Sequence, residues 1–495
     1  MRRSDTVRLL RTAVFTLGVL SCAVPLPLAA QVVTFVDPNL EAAVRAAISK
    51  PTGDILQSDV VGAGFTELNA LSRGITNLSG IEQCTDLTRL YLSDNQISDI
   101  APLASLTALE VLELGDWYGG NLIQDLAPLS GLTTLSELYL ENNQVADLGP
   151  LANLTNMRRL VAGNNPVNSL APLAGLTALD SLGLWNTQTS DLSALANLTL
   201  LVGVNLYGNA ISDIAPLANL TALIELVLDE NQISDISPLS GLTSLTNLAL
   251  SNNNIADISA LSSLTNPTNL ALPGNNINNV SALSGLTNLT ALGLWENQIT
   301  DIAPLAPLTA LHWLGLADNQ IADISILANL TNLQELFLTN NPLQDITPLV
   351  GLTQLFNLDV SGIGIADLSP LGSLVNLTNF SAASNGLTDI AFVENMTQLT
   401  WLNVSENELV SVTSIADLAT LTNLDLSQNL LDNLQAAAGL YNLVELQAHV
   451  NQISDLAPLA ALTQLNYVGL TTNQIFTITS LIANPGRGAG DRVEL

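Results

Sequence analysis

From Leu87 onward, apolar and polar positions recur in one frame, LxxLxLxxNxIxxI. Leu87, Leu90, Leu92, Asn95, Ile97 and Ile100 make one copy, and Leu223, Leu226, Leu228, Asn231, Ile233 and Ile236 another. The asparagine falls at Asn95, Asn121, Asn143, Asn165, Asn209, Asn231, Asn253, Asn275, Asn297, Asn319, Asn341, Asn385, Asn407, Asn429, Asn451 and Asn473, with Thr187 and Ile363 at the two exceptions. Successive positions lie 22 residues apart, except for 26 between Asn95 and Asn121. A degenerate copy with Arg73, Ile75, Leu78 and Ile81 precedes the first. A unit this short cannot bury its own apolar face, so it must stack on neighbours that do the same.

The LxL alternation sets both leucines on one side of a short strand. The second half of each unit, as in Pro216, Leu217, Leu220, Thr221 and Leu223, suits a 3₁₀ or single helical turn opened by proline. The pattern predicts an α/β solenoid with a parallel sheet on the concave face and short turns on the convex face. At about 4.8 Å per strand, its sheet should run roughly 80–90 Å.

Chain turns at the strand ends leave backbone N–H and C=O groups inside, and a buried Asn amide can serve both. The asparagines should therefore form a structural ladder. Thr187 keeps a hydroxyl. Ile363 has no polar group, which predicts local weakness between Gly362 and Gly364, or rescue by water. Aspartate recurs four residues after the ladder position, at Asp99, Asp125, Asp147, Asp191, Asp213, Asp235, Asp257, Asp301, Asp323, Asp345, Asp367, Asp389 and Asp455. Calcium needs several oxygen ligands, and one carboxylate per coil is thin coordination. The column reads as turn chemistry, and neither metal nor cofactor is expected.

Charge narrows the partners. The 495 residues carry 44 Asp and Glu against 12 Lys and Arg, a net charge of −32, and no Lys or Arg occurs between Arg159 and Arg487. Nucleic acid and anionic membranes require positive charge, so neither is an expected partner, whereas a basic protein surface would be attracted. Solubility in a salty medium is the plainer use of the same charge. Arg2, Arg3, Arg8 and Arg11, followed by the apolar run from Ala13 to Leu20, read as a signal peptide over residues 1–30. Val19-Leu20-Ser21-Cys22 also fits a lipoprotein box, which leaves a lipid anchor at Cys22 as the alternative. No later run is apolar and long enough to span a bilayer. Cys84 stands where later units carry Leu106 and Leu220, so it reads as a core residue, and after signal removal it has no partner for an intrachain disulfide.

The unit LTxLxxLxLxxNxIxDIxPL resembles the 22-residue repeat of bacterial internalin-type leucine-rich-repeat proteins. The segment from Phe35 through Asp37, Pro38 and Leu40 to Arg45 resembles their helical N-terminal cap. Independently of that resemblance, Leu40, Val44 and Ile48 share a helical face, with Asp37 at the N-cap and Pro38 at N1. The resemblance covers roughly residues 35–483. It implies a right-handed curved leucine-rich-repeat array that recognises proteins on a cell surface through its concave face. The expected organisation is a cap with a degenerate first repeat over 31–72, a solenoid over 73–483, and an irregular tail over 484–495. That tail could begin a missing C-terminal element, because an open last coil is an unprotected edge.

Positions six, four, two and one before each ladder residue should face the concave solvent. They hold Tyr91, Tyr139, Trp185, Tyr207, Trp295, Trp313, Phe337, Trp401 and Tyr467, with the acids Glu225, Asp229, Glu230, Glu296, Asp318 and Glu335. Exposed rings that no core position requires are candidate anchors, although strands also tolerate aromatics for cross-strand packing. Trp295, Trp313 and Phe337 should form one diagonal patch, and Tyr139, Trp185 and Tyr207 a second. The four extra residues produce Gly115-Asp116-Trp117-Tyr118-Gly119-Gly120, a loop that adds Trp117 and Tyr118 to the candidates. No HExxH, GxSxG, P-loop or paired-Cys signature appears. The sequence therefore describes a secreted or cell-envelope, monomeric protein-binding module. A structural envelope spacer, or a non-catalytic part of an extracellular hydrolase, is the alternative.

Overall fold

The computed structural model describes residues 31–62, 64–486 and 492–495. The signal segment and Cys22 lie outside the described residues. Twenty three-residue strands, from Glu67–Asn69 to Arg492–Glu494, pair in sequence order in one parallel sheet. Each pairing advances one repeat, so that Glu225, Leu226 and Val227 face Asn247, Leu248 and Ala249. The first strand pairs with the second and the last with the one before it, so the sheet is an open ribbon.

The sheet begins in the degenerate first repeat. Glu67–Asn69 is already a strand, with Leu68 and Ala70 fully buried in the places of the two strand leucines. Alanine at the second place is part of what makes that copy degenerate. At the other end Arg492–Glu494 joins Tyr467–Gly469 as a further strand, so this part of the tail is regular.

Between strands the chain makes 3₁₀ turns such as Ala215–Leu217 and Ala303–Leu305, with proline in the first turn. Each aspartate of the recurring column holds the start of its turn. Asp301 Oδ1 accepts the Ala303 N–H at 2.8 Å, and Asp323 the Ser325 N–H at 2.8 Å. Each thus replaces an acceptor the first turn lacks. Leucines and isoleucines from all coils form one continuous core, and Leu292, Leu294, Leu314, Leu316, Leu336 and Leu338 are fully buried. Cys84 belongs to that core, where burial pushes its thiol up to about 12.

The helix Pro38–Ala47 closes the N-terminal end with Leu40, Ala43 and Val44 buried. Asp37 caps it through the N–H groups of Asn39 and Leu40. Its other oxygen accepts the N–H groups of Thr76 and Asn77, tying the cap to the first coil.

The ladder has a directional pattern. Asn319 Nδ2 donates to the carbonyls of Leu316 and Ala317 in its own coil and of Leu294 in the preceding one, while its Oδ1 accepts the Ile299 N–H at 3.0 Å. A carbonyl such as Leu294 also receives Asn297 of its own coil. Carbonyls are doubly served, whereas the N–H has one acceptor.

That asymmetry explains how two rungs lack asparagine without a gap. The N–H groups that Thr187 and Ile363 leave without an amide acceptor belong to Val167 and Leu343. Each bonds instead to the carbonyl two residues before it, Asn165 and Asn341, at 2.9 Å. In both cases the intervening residue is proline, Pro166 or Pro342, and no other ladder residue is followed by proline. Proline fixes φ near the value such a tight turn needs. The weakness expected at Ile363 is thus relieved in the preceding coil.

Candidate functional site

The residue just before the ladder asparagine has a left-handed backbone in coil after coil. Asp94, Glu230, Glu296 and Asp318 have φ of 54°, 54°, 55° and 54°. Asp, Asn and Gly tolerate this conformation best, and Asn142, Asn164, Asn186, Gly208, Gly274 and Gly362 occupy the same column. Acidic residues here therefore serve the turn as well as the surface. Asp318 Oδ1 also accepts Asn340 Nδ2 at 2.7 Å. The other acidic candidates differ among themselves: Asp229 accepts the Ser251 N–H, Glu335 accepts Asn357 Nδ2, and Glu225 and Glu230 stand exposed.

On the strands, Trp295, Trp313 and Phe337 form one connected ridge. Trp295 and Trp313 meet edge-to-face with centroids 5.7 Å apart, and Trp313 and Phe337 also lie 5.7 Å apart. All three are half-buried because they lie down on the sheet. The seat is made by glycine: a Cβ on Gly315 would stand 2.8 Å from Trp295 and 2.9 Å from Trp313. A glycine inside a strand commonly marks such a close approach. On one side of the ridge runs a groove of about 300 Å³, floored by Ala249, Ala271, Ala291 and Gly293 and rimmed by Glu225, Asn247 and Asn269. On the other side stand Asp318, Thr339 and Asp359. An apolar ridge with polar rims is the usual make-up of a recognition surface.

The second expected patch is not one cluster. Tyr139 Oη donates to Glu137 at 2.8 Å and accepts Arg159 at 3.2 Å. Among the described residues no ring contact joins Tyr139 or Tyr207 to Trp185. Trp185 instead meets Trp117 of the insertion loop, with centroids 6.2 Å apart and planes at 50°. It lies over Gly163, where a Cβ would be 2.2 Å from the indole. Trp117 and Tyr118 are 78% and 92% exposed. Trp401 stands at the edge of exposure, and Tyr467 donates to Glu494.

Beside this pair lies a residue whose environment the repeat pattern does not reveal. Glu141 is only 6% exposed, and its Oε2 is buried without a hydrogen-bond partner. Burial, with Asp116 and Glu113 adding repulsion, raises its carboxyl to about 7. Glu113 is raised as well, chiefly by burial, although Ser93 Oγ donates to it at 2.8 Å. Relative to an unfolded glutamate near 4.5, the native Glu141 holds its proton longer. Stability from this group is then full below pH 4.5, is lost as pH rises toward 7, and levels off above. Glu141→Gln should consequently match the parent at pH 4 and exceed it by ~1–2 kcal/mol at pH 8. Urea midpoints at pH 4, 6 and 8 check this. A variant weaker than the parent at pH 8 would show that the charged form is held favourably.

Among the described residues no helix is long and apolar enough to cross a membrane. A family model for leucine-rich repeats, in two copies, matches residues 85–131, 133–175, 221–263 and 309–351. No curated protein matches the sequence. Among solved structures, an internalin of Listeria monocytogenes, InlF, is 36% identical with a TM-score of 0.64, covering 66% of this chain and 96% of that one. A leucine-rich-repeat protein of Leptospira interrogans is 22% identical, TM-score 0.60, over 85% of this chain and 99% of that one. The Arabidopsis receptor kinase HAESA, solved with the peptide hormone IDA and the co-receptor SERK1, is 21% identical, TM-score 0.58, over 80% and 76%. At such identity the last two share the fold.

Proposed function

The chain belongs to the internalin-type leucine-rich-repeat proteins, and from that premise we propose that it is a secreted or cell-surface module that binds a protein partner through its concave face. The ridge of Trp295, Trp313 and Phe337 carries this reading. Three large rings stand on or beside strands whose inward places are already filled by leucine, and strand glycines make room for the two indoles. Exposing that much ring surface costs solubility and gives the core nothing, which is the signature of anchors for a partner. The surrounding carboxylates would favour a partner with a basic surface and speed its approach at low salt.

The test is a chain carrying Trp295→Ala, Trp313→Ala and Phe337→Ala, compared with the parent against proteins captured from the organism's surroundings. Binding should fall by at least ~2 kcal/mol, while circular dichroism and melting stay close to the parent. Association with the parent should slow as salt rises. Undiminished binding by the triple variant would rule out the ridge as the anchor.

A further inference from the structure

We propose that the insertion loop and the three coils that follow it form a second recognition site, one that takes the ammonium or guanidinium of a basic side chain from a partner polypeptide. In this site Trp117 and Trp185 supply the aromatic faces, and Glu141, with Glu113 and Asp116, supplies the counter-charge. The inference rests on the reading that the concave face receives a protein, but it uses none of the ridge residues.

Three observations converge on a cation. First, the two indoles meet at 50° with 6.2 Å between centroids. Their planes make a V at 50°, and a positive group at its mouth would be attracted by both ring quadrupoles. Trp117 is 78% exposed although it touches another ring, so the outer side of the V is free.

Second, Glu141 lies in the coil between Trp117 and the seat of Trp185. The residue is more than nine-tenths buried, and its Oε2 has no donor. A buried acceptor without a partner is costly unless something brings a donor to it. Asn142 Nδ2 holds the Asp116 carbonyl at 2.7 Å, and the Gly115 backbone is pressed against the Glu141 carbonyl, so the loop and Glu141 are braced together. Strand pairing sets Glu113 opposite Tyr139, two residues before Glu141.

Third, the site has no cation of its own. Among the described residues Glu113, Asp116 and Glu141 form no ion pair. Nearby Arg159 is engaged by Glu137 and Tyr139, and Arg158 by Asp180. Burial hinders ionisation of Glu141 most, with repulsion from Asp116 and Glu113 added, and an incoming positive charge would reverse that repulsion. A metal ion is a poorer fit, because no three acidic, His or Cys side chains among the described residues converge to hold one. An ammonium or guanidinium is larger, carries several directed donors, and can serve spaced carboxylates and ring faces together.

The experiment titrates the full chain, by tryptophan fluorescence at constant physiological ionic strength, with the capped peptide Gly-Gly-Lys-Gly-Gly and with its norleucine counterpart. The lysine peptide should bind at least about tenfold more tightly than the norleucine peptide. Trp117→Ala and Glu141→Gln should each weaken it by about tenfold, and Asp301→Asn, a distant turn carboxylate, by less than twofold. Equal binding of the two peptides, no detectable binding of either, or equal loss in Asp301→Asn would overturn the site in favour of diffuse attraction or none. So would a calcium response abolished by Glu141→Gln without any response to lysine. The triple ridge variant should bind the lysine peptide as the parent does. The peptide therefore reports on this site alone, and partner capture by the ridge variant reports on the other.

Discussion

Replacing Asn319 with Leu should lower the stability of the solenoid by ~2–4 kcal/mol, whereas Asp323→Asn should change it by less than about 0.5 kcal/mol. The difference follows from which groups lose their partners. Without the amide, the carbonyls of Leu294 and Leu316 still receive Asn297 and Asn341. The Ile299 N–H loses its only acceptor inside a dry core. Asp323, in contrast, is exposed and caps a turn through Oδ1, a task an asparagine carbonyl oxygen can also perform. The two natural rungs without asparagine suggest a remedy. Adding Gln298→Pro should let the Ile299 N–H turn back to the Asn297 carbonyl, as Val167 and Leu343 do after Pro166 and Pro342. The double variant should then recover at least ~1 kcal/mol of the loss, although Gln298 gives up its own bond to Ile277. Denaturant midpoints of the four proteins decide the matter. A double variant weaker than Asn319→Leu alone would mean that proline and the missing amide are unrelated.

The fold was legible because a repeat multiplies its own evidence. One LxL pair is ambiguous, but the same pair in coil after coil admits one stacking solution, and the sheet has the in-register pairing that solution requires. What the frame concealed lies where a coil departs from it. The first copy reads as degenerate, with Arg73 at the ladder place, because Ala70 replaces the strand leucine. The relief of the Ile363 rung was missed because its cause, Pro342, sits one coil earlier.

Residues of the concave face were nameable from their spacing, but their contacts were not. A signal for the ring seats was present, since Leu-Gly-Leu-Trp occurs at residues 182–185 and again at 292–295, and glycine within a strand marks a close approach. Trp117 was visible as part of an insertion. That it reaches Trp185 depends on the loop's path across the neighbouring coils, and no periodicity encodes that path. Glu141 was one carboxylate among 44 acidic residues. Only three-dimensional burial separates it from the others. Its column holds Trp185, Tyr207, Asp229 and Trp295 in other coils, so position alone could not say which would be covered.

Gly115 is where the insertion, the ladder and the proposed basic-residue site depend on one atom's width, and Gly115→Ala should cost ~2–4 kcal/mol of stability. A Cβ there would stand 1.8 Å from the Glu141 carbonyl oxygen, 2.8 Å from its carbon and 2.9 Å from Asn143 Nδ2. The first two are backbone atoms of a paired coil and cannot step aside as a side chain could. Relief requires the coil of residues 115–121 to move outward, which stretches the bond from Asn143 Nδ2 to the Leu114 carbonyl, now 3.1 Å. Gly131→Ala is the matched control, because nothing lies within 4 Å of its added Cβ. That change should be neutral within about 0.5 kcal/mol, or slightly stabilising through reduced freedom of the unfolded chain. In a solenoid each coil touches only its neighbours, so the damage should stay local. Proteolysis between residues 115 and 120 should rise while distant coils keep their protection. The Trp117–Trp185 contact should loosen with the loop, and the affinity for the lysine peptide should fall although no ligand-facing group has been removed. Equal denaturant midpoints for Gly115→Ala and Gly131→Ala would show that the loop yields freely. The brace between the loop and Glu141 would then be absent.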